Sequence, residues 1–227
     1  MTPDQLRSIT AHTSPPLVPE IMLAGLPHHH TFETFRTQHQ AVIGVATPYW
    51  LVAWPGGQGL ARYLLDTPKL ASRRRVVDLG CGNGLVAIAA AMAGAPSVLA
   101  VDVDANALVC AEENAGLNRV DIEIEQADLR DFTPSRGDLI CAGDLWYDQA
   151  TGRQATGCLA RLRDGECAAL YCDAGRSYRP RSGVTCLKTY DLSASPEFES
   201  AARLSIRICT LDAANIHSMH AGHVPQV

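Results

Sequence analysis

The run VVDLGCGNGLVAIAAA, Val76 to Ala91, constrains this chain more than any other stretch. An apolar segment ends near an aspartate, glycine recurs at Gly80, Gly82 and Gly84, and an alanine-rich segment follows. Glycines let a chain turn sharply and bring backbone N–H groups close to a ligand with no Cβ in the way. The pattern predicts a strand, a tight turn and a helix whose N-terminus favours negative charge. From there strand and helix signals alternate. Strands are expected at 75–79, 98–102, 122–127, 138–143 and 167–172, and helices at 84–94, 105–116 and 149–163. Except for the third, these strands are almost wholly apolar, as parallel strands covered on both faces must be. In RLSIRICTL, Arg203, Ser205 and Arg207 face one way and Leu204, Ile206 and Ile208 the other. With TYDLSA this predicts a closing pair of strands, one of them antiparallel. The fold class expected is α/β: a doubly wound, mostly parallel, seven-stranded Rossmann-like sheet with a helical N-terminal extension.

A chain of 227 residues suffices for one well-filled core. Residues 1–46, punctuated by Pro15, Pro16, Pro19 and Pro27, read as an extension with a helix over Thr31 to Val45. Residues 47–212 read as the ligand-binding domain and 213–227 as a tail. A helix over Gln58 to Asp66 is ended by Thr67-Pro68. The net charge of −5 argues against a general nucleic-acid-binding surface, whose affinity comes from neutralising phosphates. The start MTPDQLRSIT lacks a signal peptide's basic and apolar regions, and no stretch approaches the roughly 20 apolar residues that span a bilayer. A cytoplasmic protein with no membrane partner is expected. The eight cysteines are scattered with no C-x-x-C pair, which suits reduced thiols in a reducing compartment. His28, His29 and His30 follow Pro27 in an expected loop, and His217, His220 and His223 lie in the tail, so no metal site is expected.

The glycines admit two ligands. GNGLVA, Gly82 to Ala87, satisfies the dinucleotide pattern G-x-G-x-x-G/A, and Asp102 lies 20 residues beyond Gly82. Asp78 argues the other way. It stands two residues before Gly80, where a carboxylate suits a ligand bearing an ammonium and repels a pyrophosphate. Asp128, after the third strand, adds an acid suited to an adenine amino group, and Asp102 suits ribose hydroxyls. Asp104 reads as the cap of the next helix. Acids at the ends of three consecutive strands favour S-adenosylmethionine (SAM), with S-adenosylhomocysteine (SAH) as product, over NAD.

PPLVPEI (15–21), PYWLVAWPGGQGLARYLLD (48–66), VVDLGCGNGLVAIAAA (76–91), VDVDANAL (101–108), AGDLWYD (142–148) and DAGRSYRPR (173–181) run in one order along the chain. On these segments the chain resembles class I, seven-β-strand methyltransferases. Within that class it is similar to the protein-lysine methyltransferases that modify the β subunit of electron-transfer flavoprotein. The resemblance implies a SAM-dependent N-methyltransferase with a protein substrate.

The residues in those segments fit that chemistry. Trp54 precedes the core fold and either folds back as a lid against a sulfonium, which an aromatic face attracts, or serves as a core tryptophan. Tyr49 and Trp50 line a substrate channel or staple the extension to the core. Asp144, Trp146 and Tyr147 follow the fourth strand, where a methyl group should emerge; Asp144 and Tyr147 are the catalytic candidates and Trp146 a substrate contact. A lysine must be neutral to attack. An aromatic channel lowers its pKa by desolvation, whereas a carboxylate raises it, so Asp144 is assigned to orienting the amine, or else to capping a helix. Arg176, with Arg179 and Arg181, grips an acidic partner or a small carboxylate, or belongs to a solvated loop. The Asn/Asp-Pro-Pro-Tyr signature of enzymes acting on amide or base nitrogens is replaced by DLWY. A small-molecule N-methyltransferase and a non-catalytic binding module remain the other readings.

Overall fold

The computed structural model describes residues 1–27, 30–44, 47–161, 167–181, 183–193 and 203–211. Helix α1 (Pro3–Ile9) opens on a reciprocal cap between Thr2 and Gln5. Strand β1 (Ala11–Thr13) pairs antiparallel with β2 (Leu23–Gly25), and α2 (Phe32–Ile43) starts from a cap at Thr31. A single 3-10 turn, Tyr49–Leu51, leads into α3 (Pro55–Asp66). Pro55 suits the first position of that helix because its missing N–H would have no partner there. The chain caps α3 at Thr67 and makes one further turn, α4 (Pro68–Ala71).

The alternating region follows as β3 (Val76–Leu79), α5 (Leu85–Met92), β4 (Val98–Asp102), α6 (Ala105–Leu117), β5 (Glu123–Gln126), β6 (Leu139–Gly143), α7 (Gln149–Ala160), β7 (Ala168–Asp173), β8 (Val184–Ser193) and β9 (Arg203–Leu211). These make a seven-stranded sheet in the order β5-β4-β3-β6-β7-β9-β8. β9 runs antiparallel to both its neighbours, and the other strand pairs are parallel. The chain winds outward in both directions from β3, which opens a crevice beyond its carboxyl end.

Alternate residues of each strand feed two cores. Val76, Ala100, Leu139 and Ile208 pack under α3 and α5, against Leu60, Leu64 and Ala87. Val77, Leu99, Ile140 and Tyr171 pack on the opposite face with Leu159 of α7. Val76 and Val77 are both fully buried, and each such side chain stabilises the fold by roughly 1.5–3 kcal/mol. β5 differs, because Glu123, Ile124, Glu125 and Gln126 are all exposed at the edge of the sheet. This accounts for the polarity that set the third strand apart in the sequence.

Two expected helices end early. α5 stops at Met92, capped by Ala93 ahead of Gly94 with its φ of 85°. α7 stops at Ala160, and residues 162–166 lie outside the described residues. The extension packs on the outer face of α6 and α5: Leu6, Phe35 and Trp50 meet Ala107 and Cys110, while Val18, Ile21 and Leu23 meet Ile88 and Ala115. His28, His29, His217, His220, His223 and the whole tail lie outside the described residues. Among the described residues, no group of three or more His, Cys, Asp or Glu is arranged to hold a metal ion. Among them, too, no helix is long and apolar enough to cross a membrane. All eight cysteines are thiols outside any disulfide, with Cys186 exposed and Cys167 half-buried.

Candidate functional site

A cavity of about 450 Å³ lies beyond the carboxyl ends of β3, β4 and β6, within the range that holds a nucleoside-sized ligand. Its floor is the glycine turn. Gly80, Gly82 and Gly84 have φ values of 63°, 54° and 78°, the left-handed region that side chains with a Cβ avoid. Gly80 and Gly82 line the cavity. Gly84 does not: it backs onto α6, where an added Cβ would stand 2.9 Å from that of Ala111.

Two carboxylates face the cavity from strand ends. Asp78 is 2% exposed, and its Oδ2 accepts the Ala87 N–H of α5 at 3.0 Å. Burial pushes its carboxyl up to about 7, with the Ala87 bond opposing and the Asp102 charge adding. Asp102 accepts from the Gly82 N–H and the Asp104 N–H, each at 2.9 Å. Burial raises it as well, against those backbone bonds. These two carboxyls, one buried and one half-buried, are held above their ordinary range; they gain from a cationic ligand, and a pyrophosphate would meet them unfavourably. Asp104 caps α6 by accepting from the Asn106 N–H at 2.8 Å.

Asp128 also lines the cavity, but its two oxygens accept from Arg130, through Nε at 2.9 Å and Nη2 at 2.7 Å. The Arg130 side-chain bonds hold its carboxyl down to about 2. An adenine amino group there would share an oxygen with the guanidinium.

The opposite wall is aromatic. Trp54 donates from Nε1 to the Tyr49 carbonyl at 2.8 Å and stacks on Phe32 with ring centres 6.0 Å apart. Tyr49 meets Tyr147 at 5.8 Å. These two tyrosines are 52% and 50% exposed, so the aromatic wall forms an open mouth. Trp50 lines the cavity, yet is 4% exposed and packed with Phe35 and Ile43 of the extension.

Asp144 sits between wall and floor, with a left-handed φ of 55° that aspartate tolerates better than bulkier residues. Its Oδ2 accepts the Gly56 N–H, and its Oδ1 accepts from Arg176 Nε at 2.8 Å. A Cβ at Gly56 would lie 2.6 Å from Oδ2, so glycine is what lets the start of α3 reach this carboxylate. The helix-cap reading of Asp144 does not hold, because α7 is capped by Asp148, which accepts from the Thr151 N–H. Nor is Arg176 in a purely solvated loop, since it pairs with Asp144 and its guanidinium carbon stands 5.9 Å from the Trp54 ring centre.

Trp146 departs from the expected arrangement. It is 1% exposed in the core on the α7 side, edge-on to Tyr171 and donating from Nε1 to Thr156 Oγ1 at 3.1 Å. Its neighbours Leu145 and Tyr147 line the cavity instead. Sequence reasoning missed Phe32, Leu145, Thr151 and Gln154. Phe32 carries no sequence signal beyond its place just after the helix cap at Thr31.

Residues 60–144 match the family model of ribosomal protein L11 methyltransferase (PrmA). Among curated proteins, the chain is 43% identical over 117 residues to the electron transfer flavoprotein beta subunit lysine methyltransferase of Danio rerio, covering 51% of this chain and 45% of that one. To the Xenopus laevis protein of the same name it is 42% identical over 142 residues, covering 61% and 56%. The chain thus spans about half the length of the curated relatives it matches. Among solved structures, magnesium protoporphyrin IX methyltransferase from Synechocystis, with bound SAM, superposes with a TM-score of 0.52 at 16% identity, covering 82% of this chain and 100% of that one. A putative RNA methyltransferase from Pyrococcus horikoshii gives 0.51 at 16% identity, covering 68% and 81%. The fold is thus shared with these methyltransferase structures, and the matched segments are similar in sequence to the methyltransferases named above.

Proposed function

We propose that this chain is a SAM-dependent protein-lysine N-methyltransferase acting on the electron-transfer flavoprotein β subunit or a similar protein. The observation that carries the reading is one cavity in which the buried Asp78, the half-buried Asp102 and the open aromatic mouth of Tyr49, Trp54 and Tyr147 meet at Asp144. An exposed mouth suits a side chain presented by a large partner; a small-molecule enzyme is better served by enclosure. The relatives that carry this substrate in their names support its choice.

When bound, S-adenosylmethionine supplies an electrophilic methyl group on a sulfonium. In this reading Asp78 accepts from the methionine ammonium, Asp102 from the ribose hydroxyls, and the backbone at Gly80 and Gly82 makes room for both. Asp128 borders the adenine. Trp54 offers its face to the sulfonium, and Tyr49, Tyr147 and the Trp50 edge shield the incoming lysine from water. Asp144, aimed by Arg176 and Gly56, accepts an N–H of the neutral amine and so aligns its lone pair, and the proton goes to solvent. Alignment and exclusion of water are the main demands of an in-line displacement. Residues 47–212 form the catalytic unit, carried on the extension. Reduced thiols support a reducing, cytoplasmic setting, and the net charge of −5 supports a protein rather than a nucleic-acid partner.

The test is incubation of the purified chain with labelled SAM and purified electron-transfer flavoprotein, followed by mass spectrometry of the β subunit. Methyl-lysine in that subunit is the expected result. Label appearing only in small molecules of a host lysate would assign the site to a small-molecule substrate, and SAM binding with no transfer would leave a binding module.

A further inference from the structure

Helix α6 turns Cys110, Ala111 and Asn114 toward the interior, and Asn114 is fully buried. Its side-chain amide joins three elements. Oδ1 accepts the Ala24 N–H of β2 at 2.7 Å, and Nδ2 donates to the Asn83 carbonyl of the glycine turn at 2.9 Å and to Cys110 Sγ at 3.4 Å. The Asn83–Gly84 peptide is thereby held at both ends, because the Gly84 N–H donates to the Cys81 carbonyl at 2.8 Å. Two residues beyond Ala24, the Leu26 N–H donates at 3.0 Å to the carbonyl of Leu51, in the turn that carries Tyr49 and Trp50. One amide thus spans the floor of the cavity and the strand that anchors its aromatic wall.

We infer that Asn114 is a positioning residue for cofactor binding, which sets the Asn83–Gly84 peptide of the glycine turn and ties it to the N-terminal extension. The inference rests on reading this cavity as the SAM site. Asn114 touches neither ligand; it acts through the Asn83 carbonyl. Without it, a buried carbonyl and a buried N–H both lose their partner, and an unpaired buried group costs more than its bond contributes. The turn then spends time in arrangements that do not accept the ligand, and apparent affinity falls by the fraction that remains competent.

One helical turn on, Asn118 provides a control. Its Oδ1 accepts the Met22 N–H at 2.9 Å and its Nδ2 donates to the Met22 carbonyl at 2.7 Å, so it too grips the extension. Its remaining partner is the Asn114 carbonyl within α6.

The experiment is calorimetric titration of SAH into the full chain, as wild type, Asn114→Ala, Asn114→Asp and Asn118→Ala, each with its Tm. Asn114→Asp keeps the size and the acceptor for Ala24 but sets a carboxylate oxygen against the Asn83 carbonyl. Where Asn114→Ala does not fold, Asn114→Ser takes its place. The Kd for SAH should rise about tenfold in Asn114→Ala and further in Asn114→Asp, the loss of one buried bond. Asn118→Ala should lower Tm yet stay within about twofold of wild-type affinity, because its side-chain bonds go to Met22 and to the Asn114 carbonyl and none reaches the glycine turn. The KM for protein substrate should be unchanged in Asn114→Ala. Wild-type affinity in both Asn114 variants, or equal weakening by Asn118→Ala, would overturn the inference and reduce Asn114 to a stabilising contact. A wild-type chain that binds no SAH would overturn the reading of the cavity itself, and that result is visible before any variant is made.

Discussion

Arg176, in the loop after β7, donates from Nε to Oδ1 of Asp144, in the loop after β6, at 2.8 Å. The two side chains are 20% and 10% exposed, so the pair is largely withdrawn from water. It couples two loops at the mouth of the cavity and fixes the plane of a carboxylate that Gly56 grips from the other side. An oxygen that accepts from a guanidinium still has a lone pair to offer, and that lone pair is aimed by the pair.

Arg176→Ala should therefore lower kcat by about tenfold to a hundredfold, corresponding to a charge-assisted bond of roughly 1.5–3 kcal/mol. SAH affinity should stay nearly unchanged. Arg176→Lys should recover only part of the rate, because a point charge does not fix the carboxylate plane. Steady-state kinetics with the protein substrate, beside SAH calorimetry, gives the answer. Equal loss of rate and affinity would move Arg176 into the cofactor site.

Gly56→Ala tests the other grip. The new Cβ would stand 2.6 Å from Asp144 Oδ2 and 2.9 Å from the Asp144 N, closer than any real contact. The carboxylate and the start of α3 must part. Turnover should fall by at least about a hundredfold, the order expected when a reacting group is misplaced by 1 Å. SAH binding, which the proposed function assigns to Asp78 and Asp102, should survive. Unimpaired turnover would remove Asp144 from the chemistry.

Asp78 predicts a pH dependence. Its carboxyl is raised to about 7 in the free protein, so ionisation there is half complete near neutrality. Pairing with an ammonium requires the ionised form. SAH affinity should therefore fall about tenfold for each pH unit below 7 and level off above it, as linkage to a single proton requires. Stability of the free chain runs the opposite way. A carboxyl raised on folding favours the folded state at low pH, and that contribution is lost as pH rises from the ordinary carboxylate range through about 7. Asp78→Asn should flatten both profiles, as measured by calorimetry and by urea unfolding from pH 5.5 to 8.5. An unchanged affinity profile in that variant would assign the titration elsewhere.

Trp146→Phe should cost about 1–2 kcal/mol of stability, from the lost bond to Thr156 and the smaller ring. The KM for protein should not move, because the side chain lies in the core rather than in the cavity. A raised KM with unchanged unfolding would return Trp146 to the substrate channel.

The central sheet was legible because fully buried strands must be apolar on both faces, and Val76, Val77, Ile140 and Cys141 announce that in any window. The acids were legible for a similar reason: Asp78 and Asp102 stand at strand ends, where sequence position fixes location. Trp146 was not. Residues 144–147 leave the strand in a left-handed step at Asp144, and a period read along the chain does not say which side chains then turn inward. Nor did the sequence link Asp144 to Gly56, Arg176 to Asp144 or Phe32 to Trp54. These contacts join segments far apart in the chain, and only the packing of α3 and the extension against the strand ends brings them together. Asn114 shows the same limit, for an asparagine within a helix reads locally as a surface residue.

The open edge at β5 carries a consequence for solution behaviour. An unpaired strand edge is a template on which another chain can add, and short, charged edges resist this. Glu123 and Glu125, exposed on a strand of four residues, would face like charges if two copies met there. Edge-to-edge pairing of sheets from separate molecules is thereby disfavoured at the border of the sheet formed by β5.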